Sequence, residues 1–147
     1  MPHSTARSRL PQASEPIRSS IDAIAVVSLA MHRPLEAETI AFLLDETSRS
    51  NVITVVSGTT EPDSVLTIAE CMAAAGSRSQ AVCGVVLASV RPNAPPNMPA
   101  TLPGDLDRWV EANDITESHG IELIEWFVVG PAGVDCPRTL LGEPERW

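Results

Sequence analysis

The sequence predicts an α/β (α+β) fold, a mixed β-sheet flanked by helices, and three observations lead to this class. Residues 81–89 form an apolar run of strand length, typical of a central strand buried on both faces. Residues 59–76 place apolar side chains at helical spacing. Strand-like and helix-like segments alternate along the 147 residues, which suffice for one domain with its own core.

The first half of the chain predicts two helices separated by a hairpin. The pair Ser19-Ser20 offers an N-cap before apolar residues at helical spacing, although two consecutive valines leave a strand open there. Thr39–Asp45 and Val52–Ser57 are strand-like runs joined by polar residues, which indicates an antiparallel hairpin. The second helix is predicted over residues 59–76, with Pro62 in its first turn.

The second half predicts a proline-rich loop, a helix and one or two strands. Five prolines lie between residues 92 and 103, directly after the central strand, so this stretch cannot be regular structure. Residues 104–119 predict a helix, and residues 121–129 a strand that begins half-exposed and finishes buried. Residues 134–141 favour an additional edge strand, and residues 143–147 a frayed end.

Charge separates a basic leader from an acidic domain. Residues 1–18 are predicted to be a disordered leader with three arginines and one glutamate, and residues 19–147 the domain, with seven arginines and eighteen acidic residues. An acidic surface and few aromatic residues argue against a nucleic-acid partner. No apolar run approaches the ~20 residues of a membrane helix, and residues 1–18 lack the apolar core of a signal peptide. The sequence therefore predicts a cytoplasmic protein without a membrane partner.

Several reactive chemistries are excluded or left without support. The chain has no lysine, which excludes Schiff-base chemistry and a phosphate-binding P-loop lysine. The cysteines form no paired motif, are expected to be reduced, and two of them are expected in the core. The histidines have no neighbours at ligand spacing, so neither a metal nor a cofactor is predicted. These residues are Cys71, Cys83, Cys136, His3, His32 and His119.

Four strings, in this order and spacing, resemble the RadC-like branch of the JAB/MPN metalloprotease family over residues 19–141. They are F-L-L-D-E-T-S-R-S-N-V-I, S-V-L-T-I-A-E-C-M-A-A-A-G, A-V-C-G-V-V-L-A-S and G-I-E-L-I-E-W-F-V-V-G-P-A-G. The resemblance implies a JAB/MPN-like, cytidine-deaminase-like architecture. It also implies the site of a zinc hydrolase at the loop after the central strand.

That family's chemistry depends on a His-x-His-Pro string after the central strand, a downstream Ser and Asp, and an upstream Glu. The histidines and the Asp hold zinc, and the Glu acts as general base. The matching string here is S-V-R-P, in which Ser89 and Arg91 replace both histidines. At the family's spacing, Pro99 and Leu102 stand at the Ser and Asp positions, and Asp105 could serve only in a loop three residues longer.

The upstream Glu position falls at Ala37, between two glutamates. The resemblance therefore implies a pseudoenzyme that has lost its metal and acts as a protein-binding or scaffolding module. The candidate catalytic carboxylates are Glu36, Glu38 and Asp105, and the candidate binding residues are Ser89, Arg91 and Asp105.

Two enzymatic alternatives remain open. One is a metal-free hydrolase or isomerase that uses carboxylates with pKa values raised by burial. The other is a metallo-isopeptidase with unconventional zinc ligands. For the binding module, a protein or peptide partner is expected, with strand addition at a sheet edge as one mode and a homodimer as the default oligomer.

Overall fold

A computed structural model describes residues 15–59 and 63–147, and it has the predicted class, a mixed sheet with helices. Within these residues there are five strands and four helices. In chain order they are α1 (Ser20–Ala30), β1 (Glu38–Asp45), β2 (Ser50–Ser57), α2 (Ser64–Gly76), β3 (Val82–Val90), α3 (Asp105–Ser118), β4 (Glu122–Gly130), β5 (Gly133–Asp135) and α4 (Pro137–Leu141).

The strands form one sheet in the order β2-β1-β3-β4-β5. β1 pairs antiparallel with β2, which confirms the hairpin, and also antiparallel with β3. β3 pairs in parallel with β4, the two strands being joined by the proline-rich loop and α3, and β5 closes the other edge antiparallel to β4. β3 is therefore the central strand, as its apolar run predicts.

Helices cover both faces of the sheet because successive side chains of a strand point to opposite sides. On the α1 face, Phe42 and Phe127 pack with α1. On the α2–α3 face, Leu87 and Trp126 pack with α2 and with Trp109 of α3. All five of these side chains are buried, and the two-layered core fixes the ends of β1 and β3 that carry the site.

The packed part of the chain begins before residue 19. Ser19 caps α1 as predicted, because its hydroxyl accepts a hydrogen bond from the backbone N–H of Asp22 at 3.2 Å. Ile17, assigned to the leader, is buried, and its N–H donates to the carbonyl of Ser48 at 2.7 Å. Residues 1–14 of the predicted leader, and Pro62 of the predicted second helix, lie outside the described residues.

The C-terminal region differs from the expected edge strand. Only Gly133–Asp135 extend the sheet, and Pro137 then starts α4. Proline has no N–H to donate to a sheet, and its fixed φ suits the first turn of a helix. Residues 134–141 are therefore a short strand followed by a helix.

The expectation of a frayed C-terminus is also wrong. Arg146 donates to the side-chain oxygen of Asn113 at 2.7 Å and to the carbonyl of Leu123 at 3.0 Å. The indole of Trp147 donates to the hydroxyl of Ser20 at 3.1 Å. The last two residues thus connect the α3 region with the start of α1.

The cysteines are not the core thiols that the sequence suggests. Cys71 and Cys83 are exposed, and Cys136 is partly buried, with no disulfide among them. Burial raises the pKa of Cys136 to about 12, which leaves it almost wholly in the unreactive thiol form at neutral pH. No helix in the described ranges is both long and apolar enough to cross a membrane.

Candidate functional site

A cavity of about 440 Å³ opens at the carboxyl end of β3, where the sequence places the candidate site. The loop over residues 91–102 forms much of its wall. Ala37 and Thr39 line it from the start of β1, Ser64 from the start of α2, and Ser89 from the end of β3. The cavity thus lies between the proline-rich loop and the two elements that begin next to it.

Arg91 and Asp105 form a two-point ion pair beside this cavity. The Arg91 backbone N–H donates to the carbonyl of Val129 at 2.8 Å, which continues the pairing of β3 and β4 and fixes the start of the loop. Its guanidinium nitrogens donate to the two oxygens of Asp105 at 2.7 and 2.8 Å. One of them also donates to the carbonyl of Ala100 at 3.0 Å. Such forked, charge-assisted bonds combine strength with a fixed geometry.

Asp105 is held from a second direction as well. It is the first residue of α3, where the helix dipole favours a negative charge, and it is 1% exposed. Its carboxylate also accepts a hydrogen bond from the backbone N–H of Leu102 at 2.6 Å. Asp105 therefore reaches the end of β3 from the far end of the proline-rich loop.

Ser89 and Arg91 both lie against Trp126. The indole N–H of Trp126 donates to the hydroxyl of Ser89 at 2.9 Å. The guanidinium carbon of Arg91 lies 6.0 Å from the centre of the same ring, at the outer limit of a cation–π contact. The structure thus brings together the three candidate binding residues, with Trp126 as an additional member.

This donor set does not fit a catalytic zinc ion. Ser89 offers a neutral hydroxyl that is already engaged by Trp126. Arg91 is permanently charged, and its guanidinium occupies both oxygens of Asp105. A zinc ion here would meet one carboxylate and a repelling cation, whereas catalytic zinc takes three nitrogen, sulfur or oxygen ligands.

Glu36 and Glu38 do not join Asp105. Ala37, at the position where the resemblance implies a glutamate, lines the cavity without a carboxylate. Thr39 also lines the cavity, so Glu38, its neighbour along β1, points to the α1 face. Among the described residues that line the cavity, none is acidic.

Glu38 instead belongs to a second cluster, with His32 and Glu36. Nδ1 of His32 lies 2.6 Å from Oε1 of Glu38 and 3.3 Å from Oε2 of Glu36. The backbone N–H of His32 donates to Oε2 of Glu38 at 2.8 Å. The hydrogen bond to Glu38, then the negative charges of Glu38 and Glu36, raise the pKa of His32 above its ordinary value.

The expectation that His32 has no neighbours at ligand spacing is therefore wrong. The chain turns back between α1 and β1, which returns the glutamates to the end of the helix. The signal was the spacing H-x-x-x-E-x-E, since alternate residues of a strand share a face.

Sequence reasoning also missed a buried ion pair between Glu125 of β4 and Arg138 of α4. The Arg138 Nε donates to Oε2 of Glu125 at 2.9 Å, and Glu125 is fully buried. Desolvation raises the pKa of Glu125, and the hydrogen bond and charge of Arg138 oppose that rise. The run I-E-W-F-V-V contains no pattern that predicts a buried side chain for Glu125.

Compared with known proteins, the chain matches no protein-family model, and no curated protein matches it.

Proposed function

We propose that this protein is a catalytically degenerate JAB/RadC-like domain that binds a protein or peptide partner. The observation that carries the proposal is the forked ion pair between Arg91 and Asp105. In the implied family, the second histidine and the aspartate would be joined through zinc. Here a guanidinium on the residue at the histidine position contacts the carboxylate directly and supplies the positive charge itself.

The placement of these residues supports the resemblance in outline. The S-V-R-P string follows the central strand β3, and the aspartate begins the next helix. Asp105 reaches Arg91 although it comes three residues later than the family's spacing requires. Ala37, at the implied glutamate position, lines the same cavity. These placements support the proposal of a site in which both histidines and the glutamate are replaced and the aspartate is kept, three residues later in the chain.

The cavity suits binding better than catalysis. Its wall is rich in proline and alanine, and the exposed side chains of Met98 and Leu102 lie among its lining residues. Thr39, Thr59 and Ser64 add hydroxyl groups. Mostly apolar clefts with a few polar groups are typical of sites for small molecules and for side chains of extended peptides.

The enzymatic alternatives find less support. A metal-free hydrolase or isomerase needs a carboxylate directed into the cavity, and the described lining residues offer none. Asp105 accepts three hydrogen bonds within the protein, so its oxygens are not available to abstract a proton from a ligand. A metallo-isopeptidase that used Asp105 as a ligand would have to displace Arg91 from it before zinc could bind there.

The decisive experiment restores the lost ligands. We expect the double variant Ser89→His, Arg91→His to gain one tightly bound zinc ion relative to the wild type. Adding Asp105→Asn should remove that gain, because the aspartate is the third ligand. Zinc content after dialysis, with circular dichroism to verify folding, provides the measurement. A folded double variant that binds no more zinc than the wild type would contradict the assignment, and so would wild-type zinc that is lost with Asp105→Asn.

Binding is tested with a displayed library of random peptides panned on the purified protein. Met98 lines the cavity and is 56% exposed, whereas Leu140 is 65% exposed on α4 and does not line it. We expect selected peptides to bind the wild type and Leu140→Glu, and to bind Met98→Glu at least tenfold more weakly. Equal binding to both variants would place the peptide surface elsewhere.

A further inference from the structure

The cluster of His32, Glu36 and Glu38 contains the ligand types of a divalent transition-metal site. Imidazole nitrogen and carboxylate oxygen both bind zinc, and three protein ligands leave a fourth position for water or another ligand. Two carboxylates and a neutral imidazole carry a charge of about −2, which balances a divalent cation. We propose that these three residues bind Zn²⁺ or a closely related divalent transition-metal ion.

The distances agree with one shared cation. One ligand atom from each residue lies within 4.8 Å of both others. Zinc bonds of 2.0–2.1 Å in a tetrahedron place ligand atoms about 3.3 Å apart. The His32–Glu36 distance is 3.3 Å, and the His32–Glu38 distance of 2.6 Å would have to open by about 0.7 Å. His32 and Glu36 are 54% and 59% exposed, so their side chains can make that adjustment.

The third ligand is fixed by the fold. Glu38 is fully buried, and the backbone N–H of His32 holds its Oε2, which leaves Oε1 directed toward the imidazole. A buried carboxylate requires a cationic or hydrogen-bonding partner. In the part of the chain that the structure describes, its side-chain partner is His32, which loses its positive charge when it gives up its proton. A metal ion would supply a permanent positive charge at that place.

The inferred site is separate from the proposed binding cavity and does not depend on the family assignment. Its ligands lie on the α1 face, whereas Ser89 contacts Trp126 on the α2–α3 face. The two regions nevertheless share one segment, because Ala37, between the two glutamates, lines the cavity. A metal ion would thus restrain the backbone that forms this wall.

The chain offers a matched control in His119 and Glu70. Nε2 of His119 lies 3.1 Å from a carboxylate oxygen of Glu70, which is an ordinary exposed pair. This pair has one imidazole and one carboxylate, without the second carboxylate of the proposed site. Two ligands bind zinc far more weakly than three. Because His119 is not one of the three proposed ligands, His119→Gln should leave zinc binding at His32, Glu36 and Glu38 unchanged.

The protein is titrated with ZnCl₂ in a buffer that contains a reductant and no chelator. Calorimetry measures the stoichiometry and the affinity of zinc binding. The wild type and His119→Gln should bind one zinc ion with the same affinity, and zinc should raise the Tm of both. His32→Gln and Glu36→Gln should weaken binding at least tenfold and abolish the rise in Tm. Both altered side chains are more than half exposed, so these variants are expected to fold.

Two results would overturn the proposal. One is a wild type that binds no zinc, and the other is a His32→Gln variant that binds it as tightly as His119→Gln does. Asp105→Asn, measured where circular dichroism shows that it is folded, separates this site from the other region, because Asp105 is not among the three proposed ligands and zinc binding at His32 should persist. Zinc lost in Asp105→Asn but retained in His32→Gln would count against both this proposal and the proposed function.

Discussion

Asp105 and Glu38 are both buried carboxylates at the same end of the sheet, yet their partners differ in kind. Asp105 is held by the guanidinium of Arg91, which keeps its charge at every physiological pH. Glu38 is held by His32, which can lose its proton and whose ring is half exposed. The first carboxylate is closed to an external cation, and the second is not.

The difference shows that two buried carboxylates near one end of a sheet can have different roles, depending on the partner that neutralises each of them. The fork of Arg91 satisfies both oxygens of Asp105, so the pair is complete within the protein. The imidazole of His32 holds Oε1 of Glu38 and the His32 backbone N–H holds Oε2, but the imidazole can lose its positive charge, which a guanidinium does not do. The difference in partner therefore predicts a closed, structural ion pair at Asp105 and a place for a cation at Glu38.

The largest effect is expected from Asp105→Asn. Removing one partner of a buried pair leaves the guanidinium uncompensated, which typically costs about 3–5 kcal/mol of unfolding free energy. Urea denaturation of the variant and the wild type measures the loss. Asp107→Asn, an exposed change in the same helical turn, should cost less than about 0.5 kcal/mol. Equal losses of unfolding free energy in both variants would mean that Asp105 does not neutralise the guanidinium of Arg91.

Glu38→Gln should cost less, although Glu38 is at least as buried. The amide oxygen can still accept from the His32 backbone N–H, and His32 can shed its proton rather than remain an unpaired cation. We expect a loss of about 1.5 kcal/mol, the value of one hydrogen bond to a charged group. Thermal denaturation in chelator-containing buffer measures it, with Glu36→Gln as the exposed control. A loss equal to that of Asp105→Asn would remove the distinction between the two carboxylates.

Most elements of the fold could be predicted from the sequence because their signals are local. Ser19 caps α1, and the apolar run of β3 marks the sheet's centre. The last residues were mispredicted because their order comes from distant partners. Arg146 contacts Asn113 and Leu123, and no pattern within residues 143–147 indicates either contact.

In the candidate sites, too, local features could be predicted and contacts between distant residues could not. The loop after β3 could be located from strand position. The contact of Arg91 with Asp105 could not, since it depends on how the thirteen residues between them fold. His32 lies outside every predicted strand, and Glu38 directly precedes the predicted strand Thr39–Asp45. Their contact arises only because the chain reverses between α1 and β1.

A third carboxylate, Asp45, provides the smallest expected effect and a reference for the other two. It is the last residue of β1, and its Oδ1 reaches into the turn before β2, where it accepts from the Thr47 hydroxyl at 2.6 Å and from the N–H groups of Thr47 and Arg49. The hydrogen bond from the Thr47 hydroxyl, followed by that from the Arg49 backbone, lowers its pKa below the ordinary value of 3.8. Asp45 thus stabilises the turn only while it is ionised.

Asp45→Ala should therefore cost about 1 kcal/mol at neutral pH, less than a buried bond to a charged group because solvent reaches the turn and screens the charge. A lowered pKa means that the stabilisation is fully present above pH 3.8 and is lost as the pH falls through the value in the folded state. Denaturant unfolding at pH 7 and at pH 3 or below should show the gap between variant and wild type closing with acid. Glu46→Ala, an exposed change in the same turn, should show almost no gap at either pH. A stability gap that persists unchanged in acid would mean that Asp45 stabilises the turn through packing rather than through its charge. Asp45 could then not serve as the charged reference for Asp105 and Glu38.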